Sequence, residues 1–290
     1  MQVDQSIALD FDPVTSINSG QTFLWERIDG AWYGINGQNV LKFVAKSGGV
    51  EFSSYPEHGS WERNFFRLDD DIKGIHAALA RDETIATLIT KYPGLRLLRQ
   101  DPDQCLFSFV CASNTNIPMI RRMLYNLARK FGNRITCDQR EFFTFPSANA
   151  LHSASLAELR SCGLGYRARA VKAAAKAIAE GGLNLHDLSN AEFQEARDQV
   201  LQIYGVGNKI ADCILLFSLD KLDAFPIDVW IARALSTHYS ALHDCRIGEK
   251  LTPRQYESIS EKMRRYFGKY AGYAQQYLFY DMRQNARRHW

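Results

Sequence analysis

No Cys-x-x-Cys pair occurs in this chain. Its six cysteines, Cys105, Cys111, Cys137, Cys162, Cys213 and Cys245, are scattered. That spacing excludes a sequence-local zinc or iron–sulfur site and points to reduced thiols in a cytosolic compartment. Long apolar runs are also missing: the apolar stretches are short and interrupted, so none can span a bilayer. The first thirteen residues carry acids in place of a basic region and an apolar core, and so do not read as a secretory signal. Neither an internal repeat nor a low-complexity tract is present. Net charge is small as well, +3 from 35 basic and 32 acidic residues, a total that says little about partners.

What remains is a globular composition. With 46% apolar residues in 290, the chain can fill one large domain or two to three small ones. The charge is unevenly spread. Between 263 and 290 there are six Lys/Arg (Arg264, Arg265, Lys269, Arg283, Arg287, Arg288) against Asp281 alone. Between 160 and 176 there are five (Arg160, Arg167, Arg169, Lys172, Lys176) and no acid, while residues 51–104 are acid-rich. Basic segments interleaved with aromatics suit a surface that tracks phosphates. Either run alone reads more simply as a solvated helix face.

Residues 15–55 predict an antiparallel sheet. TFLWERI and AWYGI alternate and are joined by Asp29-Gly30; QNVLKFVA follows Asn36-Gly37, and VEFSSY follows Lys46-Ser47-Gly48-Gly49. Helical spacing begins after Tyr55, over 62–66, 71–80 and 82–91, and Pro93-Gly94 breaks it. From Asp103 onward nearly everything reads as helix, including 104–110 and 117–131. Ser155…Glu158 and Ser189…Glu192 predict capping boxes, and Thr252-Pro253-Arg254-Gln255 a further helix start. The fold class is therefore α+β: an antiparallel-sheet domain over 1–100, packed on a mostly helical body of two subdomains over 101–290.

Within that body, helices over 191–204 and 208–219 flank Gly205-Val206-Gly207, a helix–hairpin–helix. The two glycines let the chain turn through positive φ and bring backbone close to a phosphate. Val206 plugs between the helices while the amides face outward, and the carbonyls of Leu201, Ile203 and Val206 suit a monovalent cation bridging to that phosphate. Lys209 falls in the first turn of the second helix, where positive potential opposes its charge and favours the neutral amine a nucleophile requires. Cys213 lies one turn on, within reach of that amine. Asp228, in Ile227-Asp228-Val229, caps the next apolar run, and a carboxylate beneath a ribose suits positive charge developing at C1′. Asp212 points elsewhere on its helix. A phosphate-gripping hairpin, an amine and a carboxylate are together the parts of a DNA base-excising enzyme that forms a Schiff base.

These residues sit among other motifs: Ser19-Gly20-Gln21-Thr22-Phe23-Leu24-Trp25, Leu97-Leu98-Arg99-Gln100-Asp101-Pro102 with Cys105-Leu106-Phe107-Ser108-Phe109, Ser113-Asn114-Thr115-Asn116-Ile117, Gly163-Leu164-Gly165-Tyr166-Arg167-Ala168-Arg169, and Tyr270-Ala271-Gly272-Tyr273-Ala274-Gln275. With them the chain resembles, over nearly its whole length, an 8-oxoguanine DNA glycosylase/AP lyase of the helix–hairpin–helix superfamily with a glycine–proline–aspartate loop. The resemblance implies that Lys209 attacks C1′ of a flipped nucleotide and that Asp228 stabilises the oxocarbenium. It implies that the Gly20 carbonyl accepts the N7–H of 8-oxoguanine, that Gln275 reads the Watson–Crick edge, and that Phe279 and Cys213 sandwich the ring. Asn114 and Tyr166 would fill the gap in the duplex, with Arg167 beside the orphaned base. The partner implied is duplex DNA containing 8-oxoguanine, bound by a monomer in the cytoplasm, on the nucleoid. No membrane, no iron–sulfur cluster and no cofactor beyond the hairpin cation are implied.

Three departures from the family pattern stand out. Met119 occupies the place where eukaryotic members carry an arginine that reads the opposite cytosine, so discrimination there weakens. Tyr204 replaces a proline before the hairpin, and Trp230 stands where many members place a histidine near phosphate. The first two, with the short N-terminus, imply a prokaryotic-type branch. Two rival readings stay open: a monofunctional glycosylase for alkylated bases, which keeps the aspartate without the lysine, and a non-catalytic duplex-binding module.

Overall fold

In the computed structural model, residues 11–46, 49–242 and 251–287 are described; Cys245 lies outside them. Four strands, β1 (Trp25–Ile28), β2 (Ala31–Asn36), β3 (Asn39–Lys46) and β4 (Gly49–Tyr55), form an antiparallel meander in that order. Asp29 and Gly30 both take positive φ, the conformation a two-residue hairpin needs to match strand twist. Trp25 pairs with Gly34, and a side chain at Gly34 would overlap the indole. One face of the sheet packs Trp25 and Phe43 against Trp61, Phe65 and Phe66.

The other face carries an element the helical reading misses. A second hairpin, β5 (Arg134–Cys137) and β6 (Arg140–Phe143), stacks Phe142 on Tyr33 at 5.1 Å. Its turn residues Asp138 and Gln139 adopt positive φ without a glycine, so nothing in the sequence marks it. The Asp138 carboxylate anchors it by accepting bonds from Tyr33 (2.7 Å), Lys42 (2.6 Å) and Tyr55 (3.0 Å) on the sheet.

One apolar core runs from Phe23 and Leu24 to Tyr280, so the segment leading into β1 and the helix Ala271–Arg287 both pack into the helical body. Helix Glu83–Lys91 packs on the last helix, Ala271–Arg287, and Lys91 and Tyr92 both bond Asp281. The Gln100 N–H donates to the Phe217 carbonyl (2.9 Å), and Arg67 and Arg99 both bond Asp220, which ties the sheet side to the end of the second hairpin helix. Capping boxes form at Ser155–Glu158 and Thr252–Gln255, the latter with Pro253 in the first turn. The expected box at Ser189–Glu192 does not form. Ser189 instead ends the short helix Leu185–Leu188 and its hydroxyl donates to the His186 carbonyl, so the first hairpin helix starts only at Phe193. Among the described residues, no helix is long and apolar enough to cross a membrane, and no cluster of three or more His, Cys, Asp or Glu is placed to hold a metal.

Candidate active site

Helices Phe193–Leu201 and Asn208–Ser218 flank the hairpin turn. Only Gly205 takes positive φ, +87°, and it lies against Ala170, whose Cβ would be 2.6 Å from an added side chain. Gly207 is extended at the N-cap with open space beside it, so its value is access rather than conformation. Val206 is buried as expected. Its N–H, however, points inward to the Ile203 carbonyl (3.0 Å), because the turn needs that bond to close. The outward donors are therefore those of the helix's first turn, from Asn208 onward.

Lys209 sits in that first turn, half-buried on the wall of a cleft of about 1030 Å³. Its Nζ lies 5.0 Å from the centre of the Phe109 ring. Phe109 in turn stacks on Phe217 and meets Phe23 edge-on, each at 5.6 Å, so aromatic rings back the amine. Cys213 is buried one turn on; burial pushes its thiol up to about 11 against the opposing pull of the Lys209 charge.

Asp228 caps helix Val229–His238, its Oδ1 accepting from the N–H groups of Trp230 and Ile231 at 2.9 Å each. Capping alone would hold the carboxyl down. Burial outweighs it and leaves the group above its ordinary value, although the Ile231 and Trp230 amides and the charges of Lys209 and Arg283 all pull downward. The amine and the carboxyl thus share one cleft and feel each other's charge.

The opposite wall is one face of helix Ala271–Arg287, with Gln275, Phe279 and Arg283 at four-residue spacing. Gln275 Nε2 donates to the Pro226 carbonyl (3.1 Å), which leaves its Oε1 buried with no bonded partner beside the cleft. Gly20 has φ +86°, and a Cβ there would come within 2.7 Å of the Phe279 ring and 2.6 Å of Arg283. Gln276 donates to the Ser19 carbonyl (2.9 Å) and holds that loop in place.

Asn114, Tyr166 and Arg167 also come together. The Tyr166 hydroxyl lies 3.5 Å from Asn114 Nδ2 and bonds the Ser113 carbonyl at 3.2 Å. Arg167 stacks on Tyr166 at 4.6 Å and donates to the Ser113 and Asn114 carbonyls, clamping the loop. Tyr166 is 62% exposed, ready to enter a partner. Met119, 41% exposed, stands just outside the cleft lining that includes its neighbours Pro118 and Ile120. Trp230 lines the cleft, with the Arg233 guanidinium 5.0 Å over its ring.

The basic runs serve less uniformly than their composition implies. Lys172 is spent on the His152 and Ala154 carbonyls, Arg264 on Asp223 and Arg265 on Glu261, whereas Arg160 and Arg169 are exposed. Asp212 proves more important than expected. It is buried and joined to Arg197 (2.8 Å) and the Tyr256 hydroxyl (2.7 Å). Phe109, Gln276 and Tyr256 escaped the sequence reading as site residues because their contacts are all with segments distant in the chain.

Residues 6–106 match the N-terminal domain of 8-oxoguanine DNA glycosylase, and residues 107–262 match the HhH-GPD superfamily of base excision DNA repair proteins. An N-glycosylase/DNA lyase of Arabidopsis thaliana is 34% identical over 275 residues, covering 90% of this chain and 74% of that one. The chain belongs to the 8-oxoguanine DNA glycosylase family. A solved family structure, the Clostridium acetobutylicum 8-oxoguanine glycosylase/lyase with duplex DNA carrying cytosine opposite 8-oxoguanine, superposes with a TM-score of 0.86 at 31% identity, covering 96% of this chain and 93% of that one. The 3-methyladenine glycosylase of Archaeoglobus fulgidus (TM-score 0.71, 19% identity, 97% and 96% covered) shares the fold.

Proposed function

We propose that this protein extrudes 8-oxoguanine from duplex DNA, excises it through a Schiff base on Lys209 and nicks the resulting abasic site. One observation carries the reading: Lys209 and Asp228 occupy a single cleft whose far wall offers the unpartnered Gln275 acceptor. The base must leave the stack before any side chain can reach C1′, at a cost of a few kcal/mol. Asn114 and Tyr166 take its place, and Arg167 stands beside the orphaned base. With one N–H of its amide held by Pro226, Gln275 keeps its oxygen unpartnered beside the cleft. An acceptor there suits the N1–H and N2–H₂ donors of a guanine-type edge. Gly20 approaches from one side, and Phe279 and Cys213 flank the ring.

Chemistry then follows from charge. As the C1′–N9 bond breaks, its electron pair leaves with the base and positive charge builds on the sugar, facing the Asp228 carboxylate. The Lys209 amine bonds C1′, the ring opens to a protonated imine, and loss of a C2′ proton expels the 3′ phosphate. The Leu201, Ile203 and Val206 carbonyls, uncharged oxygen donors at the end of the first hairpin helix, suit a monovalent cation between turn and phosphate, Ile203 already sharing its oxygen with Val206. In this reading the enzyme works as a monomer in the cytoplasm, on the nucleoid; the five buried free thiols among the described residues suit a reducing compartment.

The test is borohydride trapping on a panel of lesion duplexes. An adduct with 8-oxoguanine above the undamaged and 3-methyladenine duplexes is expected; release of 3-methyladenine without nicking would support the monofunctional reading instead. Gly20→Ala is expected to push a methyl into Phe279 and Arg283 and so abolish excision while sparing the nicking of a preformed abasic site; equal loss of both activities would count against a base pocket there. Because Met119 has no hydrogen-bond donor to offer, single-turnover rates opposite C, A, G and T should spread by less than the ~1–3 kcal/mol one bidentate contact supplies. A sharp cytosine preference would show that another side chain reads the orphan base.

A further inference from the structure

The segment carrying Asp228 is short and held at almost every peptide. The Phe225 carbonyl accepts the Ser260 hydroxyl (3.2 Å), the Pro226 carbonyl accepts Gln275 (3.1 Å), and the Ile227 N–H donates to the Tyr256 hydroxyl (3.1 Å). Of these ties, the one at Tyr256 is different in kind. The same hydroxyl donates to Asp212 Oδ2 (2.7 Å), and Asp212 lies one helical turn from Lys209 on the second hairpin helix. Asp212 Oδ1 is held in turn by Arg197 Nε (2.8 Å) from the first hairpin helix. All three side chains are buried. A chain of hydrogen bonds therefore runs from the hairpin, through Tyr256, to the backbone immediately before the capping carboxylate.

Resting on the excision reading above, we propose that Tyr256 is a positioning residue for base removal: its hydroxyl, braced by Asp212 and Arg197, sets the Pro226–Ile227–Asp228 segment against the helix that carries Lys209. The physics is that of a buried, fully satisfied network, in which loss of one member orphans its neighbours. Without the hydroxyl, the Ile227 N–H and Asp212 Oδ2 both lose their partner. The segment then shifts or admits water to satisfy them. Either change moves two functional groups together, because Pro226 orients Gln275 and Asp228 faces the sugar. Duplex binding is dominated by phosphate contacts, and these three side chains are buried between elements and not among the outward amides at the start of the second hairpin helix, so affinity is spared while the chemical step suffers.

The experiment compares single-turnover excision of 8-oxoguanine with the dissociation constant for the same duplex, in the full chain, for wild type, Tyr256→Phe, Ser260→Ala and Arg197→Lys. Tyr256→Phe is expected to slow excision at least tenfold, toward the ~100-fold that a 1 Å misplacement costs, with the dissociation constant within about twofold of wild type. Its acid limb of rate against pH should also move, since the surroundings of Asp228 change. Ser260→Ala removes a bond to the same segment one step further off and should lower the thermal midpoint without moving the pH limb. Arg197→Lys keeps the buried charge but loosens Asp212, giving a smaller loss of rate at unchanged affinity; it decides the matter if Tyr256→Phe fails to fold. A wild-type rate in Tyr256→Phe, or in Arg197→Lys where that variant decides, overturns the proposal, as does a loss in Ser260→Ala as large as that in Tyr256→Phe. Failure of the wild type to excise 8-oxoguanine at all would instead sink the function proposed above.

Discussion

Lys209→Gln is expected to yield no borohydride-trapped adduct with an 8-oxoguanine duplex and to slow excision by about 10³-fold or more, with the duplex still bound. Glutamine approximates the length and polarity of the side chain, so the turn Gly205-Val206-Gly207 and the helix from Asn208 keep their geometry. What disappears is the only atom in the cleft that the mechanism uses to bond C1′; removing a nucleophile that acts in concert with its partners costs nearly the whole catalytic effect. The positive charge beside Asp228 and Cys213 goes too, so the downward pull Lys209 exerts on both groups is lost. Trapping by gel mobility and single-turnover kinetics measure the two outcomes. An adduct at wild-type yield would show that another amine is the nucleophile. Excision without any adduct would favour a monofunctional enzyme in which water attacks.

Asp228→Asn separates the two duties of that side chain. Asparagine caps a helix about as well as aspartate, so the bonds to the Trp230 and Ile231 amides survive. The negative charge does not. Excision is expected to fall by about 10²- to 10³-fold, the scale on which a single preorganised electrostatic group acts. Stability should move the other way. Burial raises the folded carboxyl above its ordinary value, so its contribution is fully present below about pH 3.9 and is lost as pH rises through the folded value. Asparagine carries no such loss. The thermal midpoint of the variant should therefore gain on wild type as pH climbs from acid toward neutrality. Wild-type excision should lose rate as pH falls through the same raised value, while the variant stays flat there. A wild-type excision rate in the variant, or a variant less stable than wild type at neutral pH, would remove Asp228 from the role assigned to it.

Much of this site was legible in the chain because it is built from local rules. Asp29-Gly30 dictates a hairpin, Thr252-Pro253-Arg254-Gln255 starts a helix, and a glycine turn followed by Lys209 one residue into a helix places the amine at a helix N-terminus. Those statements need only φ preferences, capping chemistry and helical period, all set within a few residues. Asp228 as a cap belongs to the same class. Failures occurred where local signals compete or are lacking. Ser189 had two helices to serve and served the earlier one, and the glycine-free Asp138-Gln139 turn is held through its carboxylate by the distant Tyr33, Lys42 and Tyr55.

By itself, then, the sequence determined the meander and the hairpin and marked Lys209 and Asp228 as the candidate amine and carboxylate. Tertiary structure alone decided how those groups behave. The balance of burial against amides and cations at Asp228, the freed oxygen of Gln275 and the Arg197–Asp212–Tyr256–Ile227 chain each join residues from separate elements. Dielectric and hydrogen-bond partnership are properties of a neighbourhood in space, and no pattern along the chain encodes them until the helices have packed.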